Sequence, residues 1–341
     1  MRICLVCRGY PTQRPGGMLF VCQDRAEALA ELGHEVFVLT TGLVKGVDET
    51  IISHDGRLTV MHLPCTPLAY SADFGRLLSR EVARLKPTIL HLDSFDRSCP
   101  WWQGYEDGVK AVTMHGFGWG SLLTRWQLYL AGDRSMPTEI TARDFRESAD
   151  ERDALVGFDR RLGISRHEVW LMAATYGLSC ELVYNPIHRS FFGPRVPLPK
   201  SKPVEFVAAA VSGQGPRGFA SLELLAKQAG VNVRRVSNVP RSAMPGVYDA
   251  SHGVVLPTRY WQGYDLCVAE ALARGRQVIA SAVGSYYAES AAGLPGLTVV
   301  PAGDQDEWVK AMSMPPREIH GASEQHRPEV HAARWLDAIK P

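Results

Sequence analysis

The sequence predicts an α/β protein made of two doubly wound, Rossmann-like domains that face each other across a cleft. Three observations carry this. Short apolar runs alternate with amphipathic segments almost throughout, the pattern of parallel strands flanked by helices. The 341 residues are too many for one average α/β domain and suit two. A cluster of prolines, Pro194, Pro197, Pro199 and Pro203, interrupts the alternation, and such a stretch cannot be an interior helix or strand. Ligands of doubly wound sheets bind at the carboxyl ends of the strands, so two facing edges make a deep cleft.

Taken in order, Arg2 to Cys7 reads as a buried first strand, and Met18 to Leu32 as a helix stopped by Gly33. Strands follow at Glu35 to Thr40 and Leu58 to Leu63, a helix from about Ser71 to Leu85, and strands at Thr88 to Leu92 and Ala111 to His115. From about Gly116 to Asp153 the rhythm breaks into loops and helices rich in Trp, Gly and charge. Strands resume at Phe158 to Ser165 and Glu181 to Tyr184. The proline cluster is the linker, with a boundary near residue 190. The second series runs through strand Val204 to Val211, helix Phe219 to Gln228, strand Val231 to Val236, helix Pro245 to Ala250 and strand Gly253 to Pro257. Helix Leu266 to Ala273, strands Gln277 to Ala280 and Leu297 to Val300, and a last helix from about Pro328 to Ile339 complete it. The expected partition is 1–188, 189–326 and a C-terminal segment 327–341 that packs back on the first domain.

A net charge of +1 offers no field for nucleic acid or an anionic membrane. No run of ~18 apolar residues is present to span a bilayer, and the N-terminus lacks the apolar core of an export signal, so the expected compartment is the cytosol. Arg76, Arg80 and Arg84 form a stripe at helical spacing that reads as a solvated face rather than a membrane contact. Seven cysteines at irregular spacing do not suggest a disulfide framework. Cys4 and Cys7 form a C-x-x-C, but within a strand residues three apart point to opposite faces.

The chemistry concentrates in the second series. After the strand ending at Pro257 comes a polar loop, Thr258 to Asp265, and then a helix from Leu266 in which Glu270 sits one turn in. A carboxylate there is favoured by the helix dipole and can reach the strand edge, where it can accept the two hydroxyls of a ribose. Gln262 lies in the loop over the same crevice. Ser212 to Gly218 reads G-x-G-x-x-G between a strand and a helix, which brings amides and a helix start to a diphosphate. No acid follows at the distance NAD requires, and Arg234 and Arg235 leave an NADP-dependent oxidoreductase open.

Pro257, Thr258, Gly263, Leu266, Glu270, Ala271, Ala273, Gly275 and Val278 match, with one extra residue before Gln262, a pattern P-S-x-x-E-G-F-G-L-x-x-x-E-A-x-A-x-G-x-P-V, which resembles the nucleotide-sugar motif of retaining GT-B glycosyltransferases of the GT4 group. The departures are Gln262 for the first Glu, Asp265 for the second glycine and Gln277 for the proline. The resemblance implies that Glu270 holds the ribose, that Gln262 lies near the donor sugar, and that Gly263, Tyr264, Asp265 and Leu266 line the donor site. It further implies that Asn238 and Val239 present backbone groups to the base, that Gly213, Gly215 and Arg217 meet the diphosphate, and that the loop Ala280 to Ser285 approaches the phosphates. Arg217 stands for the family's Lys, while the upstream Arg has Ser212 near its place. Glu289 falls where the family often has a Glu.

The first series opens with Pro15-Gly16-Gly17 and then Gly33-His34-Glu35-Val36, which is similar to the opening of the same group. There Gly16 and Gly17 would face the donor phosphates and the acceptor, and His34 would be structural. His115-Gly116 ends a strand at the point where the family projects a His toward the reacting sugar, and His91 matches a position that is usually structural. Phe117 and Trp119, next in the same loop, are the candidate acceptor platform. The resemblance implies a retaining glycosyl transfer from a nucleotide-diphosphate sugar, UDP first among the bases, to a hydroxyl of a small molecule or glycan. His115, Arg217 and Gln262 are the catalytic candidates, and the nucleotide sugar is a co-substrate with no metal or other cofactor expected. Gln262, Ser212 and Asp265 also leave open a degenerate GT-B protein that binds nucleotide or glycan without turnover.

Overall fold

The computed structural model describes residues 1–69, 71–93, 101–116, 141–209, 222–258 and 263–340. The first sheet has eight strands: β1 Arg2–Val6, β2 Glu35–Thr41, β3 Glu49–Ser53, β4 Leu58–Leu63, β5 Ile89–Leu92, β6 Val109–Met114, β7 Arg160–Gly163 and β8 Glu181–Leu182. Their order is β3-β4-β2-β1-β5-β6-β7-β8, and every pairing is parallel except β3 with β4. The sequence gives no apolar run for β3, because most of its residues are exposed. The strand forms by hairpin pairing with β4 across a turn in which His54, Asp55 and Gly56 take left-handed backbone at φ 53°, 51° and 82°.

Alternation along β1 feeds two hydrophobic layers. Cys4 and Val6 pack with Phe74, Leu78 and Leu85 of helix α2 (Ala72–Leu85). Ile3, Leu5 and Cys7 pack on the other face with Ala26 and Leu29 of helix α1 (Gly17–Glu31). Cys4 and Cys7 thus end in different layers, and the cysteines among the described residues are free. Helix α3 (Ala142–Val156) closes the first of these layers, contributing Leu155. Two sequence expectations are too long. The run Phe158 to Ser165 is strand only over β7, because Ser165 leaves the sheet to cap helix α4 (Arg166–Leu171), its hydroxyl accepting from the Glu168 N–H. Glu181 to Tyr184 is strand over two residues only.

The second sheet holds β9 Glu205–Ala209, β10 Asn232–Val236, β11 Gly253–Leu256, β12 Gln277–Ser281 and β13 Leu297–Val300 in the parallel order β10-β9-β11-β12-β13. Strands β11 and β12 are buried along their whole length, as the central strands of a sheet covered on both faces must be. Helices α5 (Leu222–Ala229), α6 (Met244–Asp249), α7 (Leu266–Ala273), α8 (Gly284–Ala291) and α9 (Gln305–Ser313) surround it. Helices α8 and α9 escape the sequence pattern. The first is short with a weak apolar stripe, and the second buries only Trp308, Ala311 and Met312.

The proline-rich linker runs without regular structure past two buried arginines. Arg274 donates to the Gly193 and Pro194 carbonyls and to Asp249, and Arg276 to the Val196 and Pro197 carbonyls. Carbonyls that no strand or helix pairs are satisfied this way. The last helix, α10 (Pro328–Ile339), lies against α1, where Ala332, Trp335 and Ile339 complete the second layer of the first sheet. Among the described residues no helix is long and apolar enough to cross a membrane.

Candidate active site in the interdomain cleft

In the first sheet the chain leaves β1 toward β2 on one side and later returns to β5 on the other. The crevice therefore opens between the carboxyl ends of β1 and β5, where such sheets hold ligands. Asp93 follows β5 directly, its N–H donating to the Val6 carbonyl, and His115 follows the neighbouring β6. The second sheet has its switch between β9 and β11. Ser212, Gly213, Gly215 and Arg217 follow β9 in the sequence, and Gln262 follows β11. These residues, with Phe117 and Trp119, lie outside the described residues.

The two domains meet closely around this crevice. A Cβ placed on Gly263 would lie 3.0 Å from the His115 carbonyl oxygen, 3.1 Å from Glu168 Oε1 and 3.3 Å from Ile164 Cδ1. Only glycine fits without displacing a neighbour. Gly17, at the start of α1, faces Leu266 at the start of α7, with 3.8 Å from its ideal Cβ position to Leu266 Cδ1. Two helix N-termini, each a positive dipole end, thus converge on the cleft. Gly16 precedes α1 in extended backbone at φ −178°, a conformation open to any residue, and a Cβ there would meet only Leu19 at ordinary contact distance among the described residues.

Glu270 sits on α7 with 8% of its surface exposed, and its Oε2 accepts from the Tyr248 hydroxyl of α6 at 2.9 Å. Burial pushes its carboxyl up to about 7, against the opposing effects of the Tyr248 hydrogen bond and the Arg241 charge. Asn238 takes left-handed backbone at φ 58° in the loop after β10 and is exposed, beside a half-buried Val239. The same loop leads to Arg241, which crosses to α1. There its Nη1 meets Asp24 Oδ1 at 2.8 Å, its Nη2 pairs with Oδ2, and its guanidinium lies 4.4 Å from the Phe20 ring centroid. Burial pushes the Asp24 carboxyl up to about 6 despite that partner.

On the far side Glu289 of α8 ties the domains, accepting from the Arg166 N–H at 2.9 Å and the Tyr184 hydroxyl at 2.7 Å. Tyr264, which the sequence set among the residues lining the donor site, has its ring turned into the core. It is 2% exposed, stacked on His326 with centroids 5.1 Å apart and edge-on to Tyr184. Asp265 stands just before α7 but caps it with no side-chain hydrogen bond, and its Oδ2 instead accepts from the Tyr286 hydroxyl.

The sequence did not single out the polar cluster below His115. Asp93 is fully buried and paired with Arg25 of α1. Arg25 Nε also donates to His331 Nε2 at 3.1 Å, and His331 Nδ1 meets the Tyr184 carbonyl at 2.7 Å. Burial alone would raise the Asp93 carboxyl, but the Arg25 charge, and then the His115 and His91 rings, hold it well below the usual carboxylate range. His91 is buried, held neutral by burial at about 3, and bonded to Thr113 at 2.8 Å. A visible signal was the lone Arg25 on the apolar face of α1 and the acid closing the run Ile89-Leu90-His91-Leu92.

Arg234 and Arg235, the residues that left NADP open, pair with Glu205 at 3.0 Å and Glu223 at 3.3 Å.

Solved structures share this architecture over nearly the whole chain. Sucrose-phosphate synthase from Thermosynechococcus elongatus superposes with a TM-score of 0.68 at 16% identity, covering 99% of this chain and 94% of that one. The lipopolysaccharide outer core galactosyltransferase WaaB, in its apo form, gives 0.63 at 14% identity, covering 99% of each chain. HepE from Anabaena, solved with UDP and glucose, gives 0.61 at 11% identity, covering 100% of this chain and 96% of that one. This is the GT-B glycosyltransferase fold. Residues 191–314 match the family model described as glycosyl transferases group 1, a match that falls on the second sheet. No curated protein matches the sequence.

Proposed function

We propose that this GT-B protein is a retaining glycosyltransferase that moves a sugar from a nucleotide-diphosphate sugar, UDP first among the bases, to a hydroxyl of a small molecule or glycan. The observation that carries the reading is Glu270. A buried carboxyl at the cleft edge of a group 1 module is anchored by Tyr248 through one oxygen, and a ribose can use what remains of its hydrogen-bonding capacity. Support comes also from HepE, whose structure holds UDP and glucose, and from the convergence of His115, Gly17, Gly263 and Leu266 on one crevice.

In this reading Glu270 accepts the ribose hydroxyls, the backbone of Asn238 and Val239 receives the base, and Arg217 with the amides of Gly213 and Gly215 takes the diphosphate charge. The start of α8 at Gly284 and the start of α1 at Gly16 and Gly17 add positive dipole ends as the diphosphate leaves. His115 bonds the donor sugar as positive charge develops on it, Gln262 bonds a sugar hydroxyl, and Phe117 and Trp119 face the acceptor. Charge stabilisation is assigned to these groups, with the nucleotide sugar as the co-substrate.

The test is a thermal-shift panel of UDP-, GDP- and dTDP-sugars, followed by detection of released nucleotide diphosphate with candidate acceptors. A ligand that binds only the folded state raises the melting temperature. A panel without a shift, and no release from any donor, overturns the reading. Binding without release would favour the degenerate GT-B alternative.

A further inference from the structure

His115 does not stand alone at the end of β6. Its side chain is 15% exposed, yet its Nε2 is buried and has no hydrogen-bond partner among the described residues. That nitrogen faces the fully buried Asp93, whose Oδ1 lies 3.8 Å away. The Asp93 Oδ2 also lacks a partner among the described residues. The separation is about an ångström beyond an ordinary N–H···O bond, and catalytic hydrogen bonds in the free protein are often long and tighten only in the complex. A buried ring nitrogen and a buried carboxylate oxygen without partners are unusual, and the nitrogen stands 3.8 Å from the other oxygen of that same carboxylate, Oδ1.

The carboxylate is itself held by a chain of fixed groups. Arg25 of α1 pairs with Asp93 Oδ1, and the Arg25 Nε–H donates to His331 Nε2 on α10. Because His331 Nε2 accepts, its Nδ1 carries the hydrogen and donates to the Tyr184 carbonyl. Burial, and then the Arg25 charge, push the His331 imidazole well below its ordinary value, so it stays neutral. On the other flank His91 Nδ1 stands 4.0 Å from Asp93 Oδ1, while its Nε2 is taken by Thr113. Around His115 the charged and titratable groups among the described residues include Asp93 and His91 from β5 and its end, Arg25 from α1, His331 from α10 and the buried Glu168 of α4, whose Oε1 lies with the His115 carbonyl around Gly263.

We propose that Asp93 is a positioning residue for His115. It fixes the imidazole as the Nε2–H tautomer, so that the Nδ1 lone pair is presented to the reacting sugar, with Arg25 and His331 locking the carboxylate. This rests on the reading of His115 as an active-site residue. The carboxylate stays ionised and the proton stays on Nε2, so no bond is made or broken at Asp93. The C-terminal helix, remote in sequence, thereby completes the first domain's half of the site.

Two measurements test this. The first is the 15N shift pattern of the His115 side chain in the wild-type protein at neutral pH, which needs neither substrate nor turnover. A protonated Nε2 is expected, and a hydrogen on Nδ1 overturns the proposal. The second is kinetic. Asp93→Asn is expected to lower kcat at least tenfold with the donor KM within twofold, and to redistribute the His115 tautomer. Because that variant leaves Arg25 buried and unpaired, the double variant Arg25→Gln/Asp93→Asn accompanies it. The double variant is expected to recover melting temperature but not kcat. Full recovery of kcat, or wild-type kcat in a folded Asp93→Asn, overturns the proposal. A protein inactive with every sugar nucleotide would refute the proposed function, while the tautomer measurement still decides on Asp93.

Discussion

Substituting Glu270 by Gln tests the nucleotide site with the least disturbance. Tyr248 is fully buried and its hydroxyl donates to Glu270 Oε2. Glu270→Ala would strand that hydroxyl at a cost of about 1–3 kcal/mol and confuse binding with stability. Glutamine keeps a carbonyl oxygen for Tyr248 while it removes the charge and turns the other acceptor oxygen into an amide donor. A ribose hydroxyl bonded to a charged acceptor is worth about 1.5–3 kcal/mol, so losing the charge should cost about 2 kcal/mol, roughly 30-fold in Kd. Calorimetric titration with UDP and with GDP reads this directly.

The same carboxyl sets a pH signature. It is pushed up to about 7, so on acidification it becomes neutral and stops accepting both hydroxyls. If only the ionised form binds, affinity for the nucleotide rises about tenfold between pH 6 and pH 8 in the wild type and stays flat in Glu270→Gln. Folding responds with the opposite sign. The folded state holds this proton more tightly than the unfolded chain, so its contribution to stability is full below the ordinary Glu range. That contribution is lost as pH rises through about 7, a loss the Gln variant lacks. Equal nucleotide affinity in wild type and a folded Glu270→Gln, or a wild-type affinity flat from pH 6 to 8, refutes the ribose assignment.

Three further outcomes follow from the cleft geometry. Gly263→Ala puts a methyl 3.0 Å from a backbone oxygen of the other domain, so denaturant unfolding should show a loss of about 1–3 kcal/mol. Gly17→Ala meets only ordinary contacts in the free protein and should melt at or slightly above the wild-type temperature while turnover falls, because the added methyl stands where a ligand approaches. Asp24→Asn leaves the Arg241 guanidinium, 13% exposed, without its anion, and should destabilise the folded protein by about 3 kcal/mol by chemical denaturation. An Asp24→Asn protein as stable as wild type would show that the α1-to-Arg241 bridge does not hold the two domains.

The sequence by itself determined the doubly wound plan and its order of elements, because parallel strands buried on both faces leave long apolar runs and their helices leave periodic stripes. It also placed Glu270, Gly17 and Gly263, since a strand, a loop and a helix start in fixed succession identify where a ligand meets such a sheet. It could not show β3, which has no apolar run and exists by pairing with β4, nor that the Tyr264 ring turns inward onto His326. Only the tertiary structure decided what stands behind His115. Asp93, Arg25 and His331 come from a strand end, the first helix and the last helix, and local pattern carries no record of contacts made across the whole length of the chain. The buried cluster forms because the last helix returns to α1 and closes a layer in which charged groups must find each other or go unpaired.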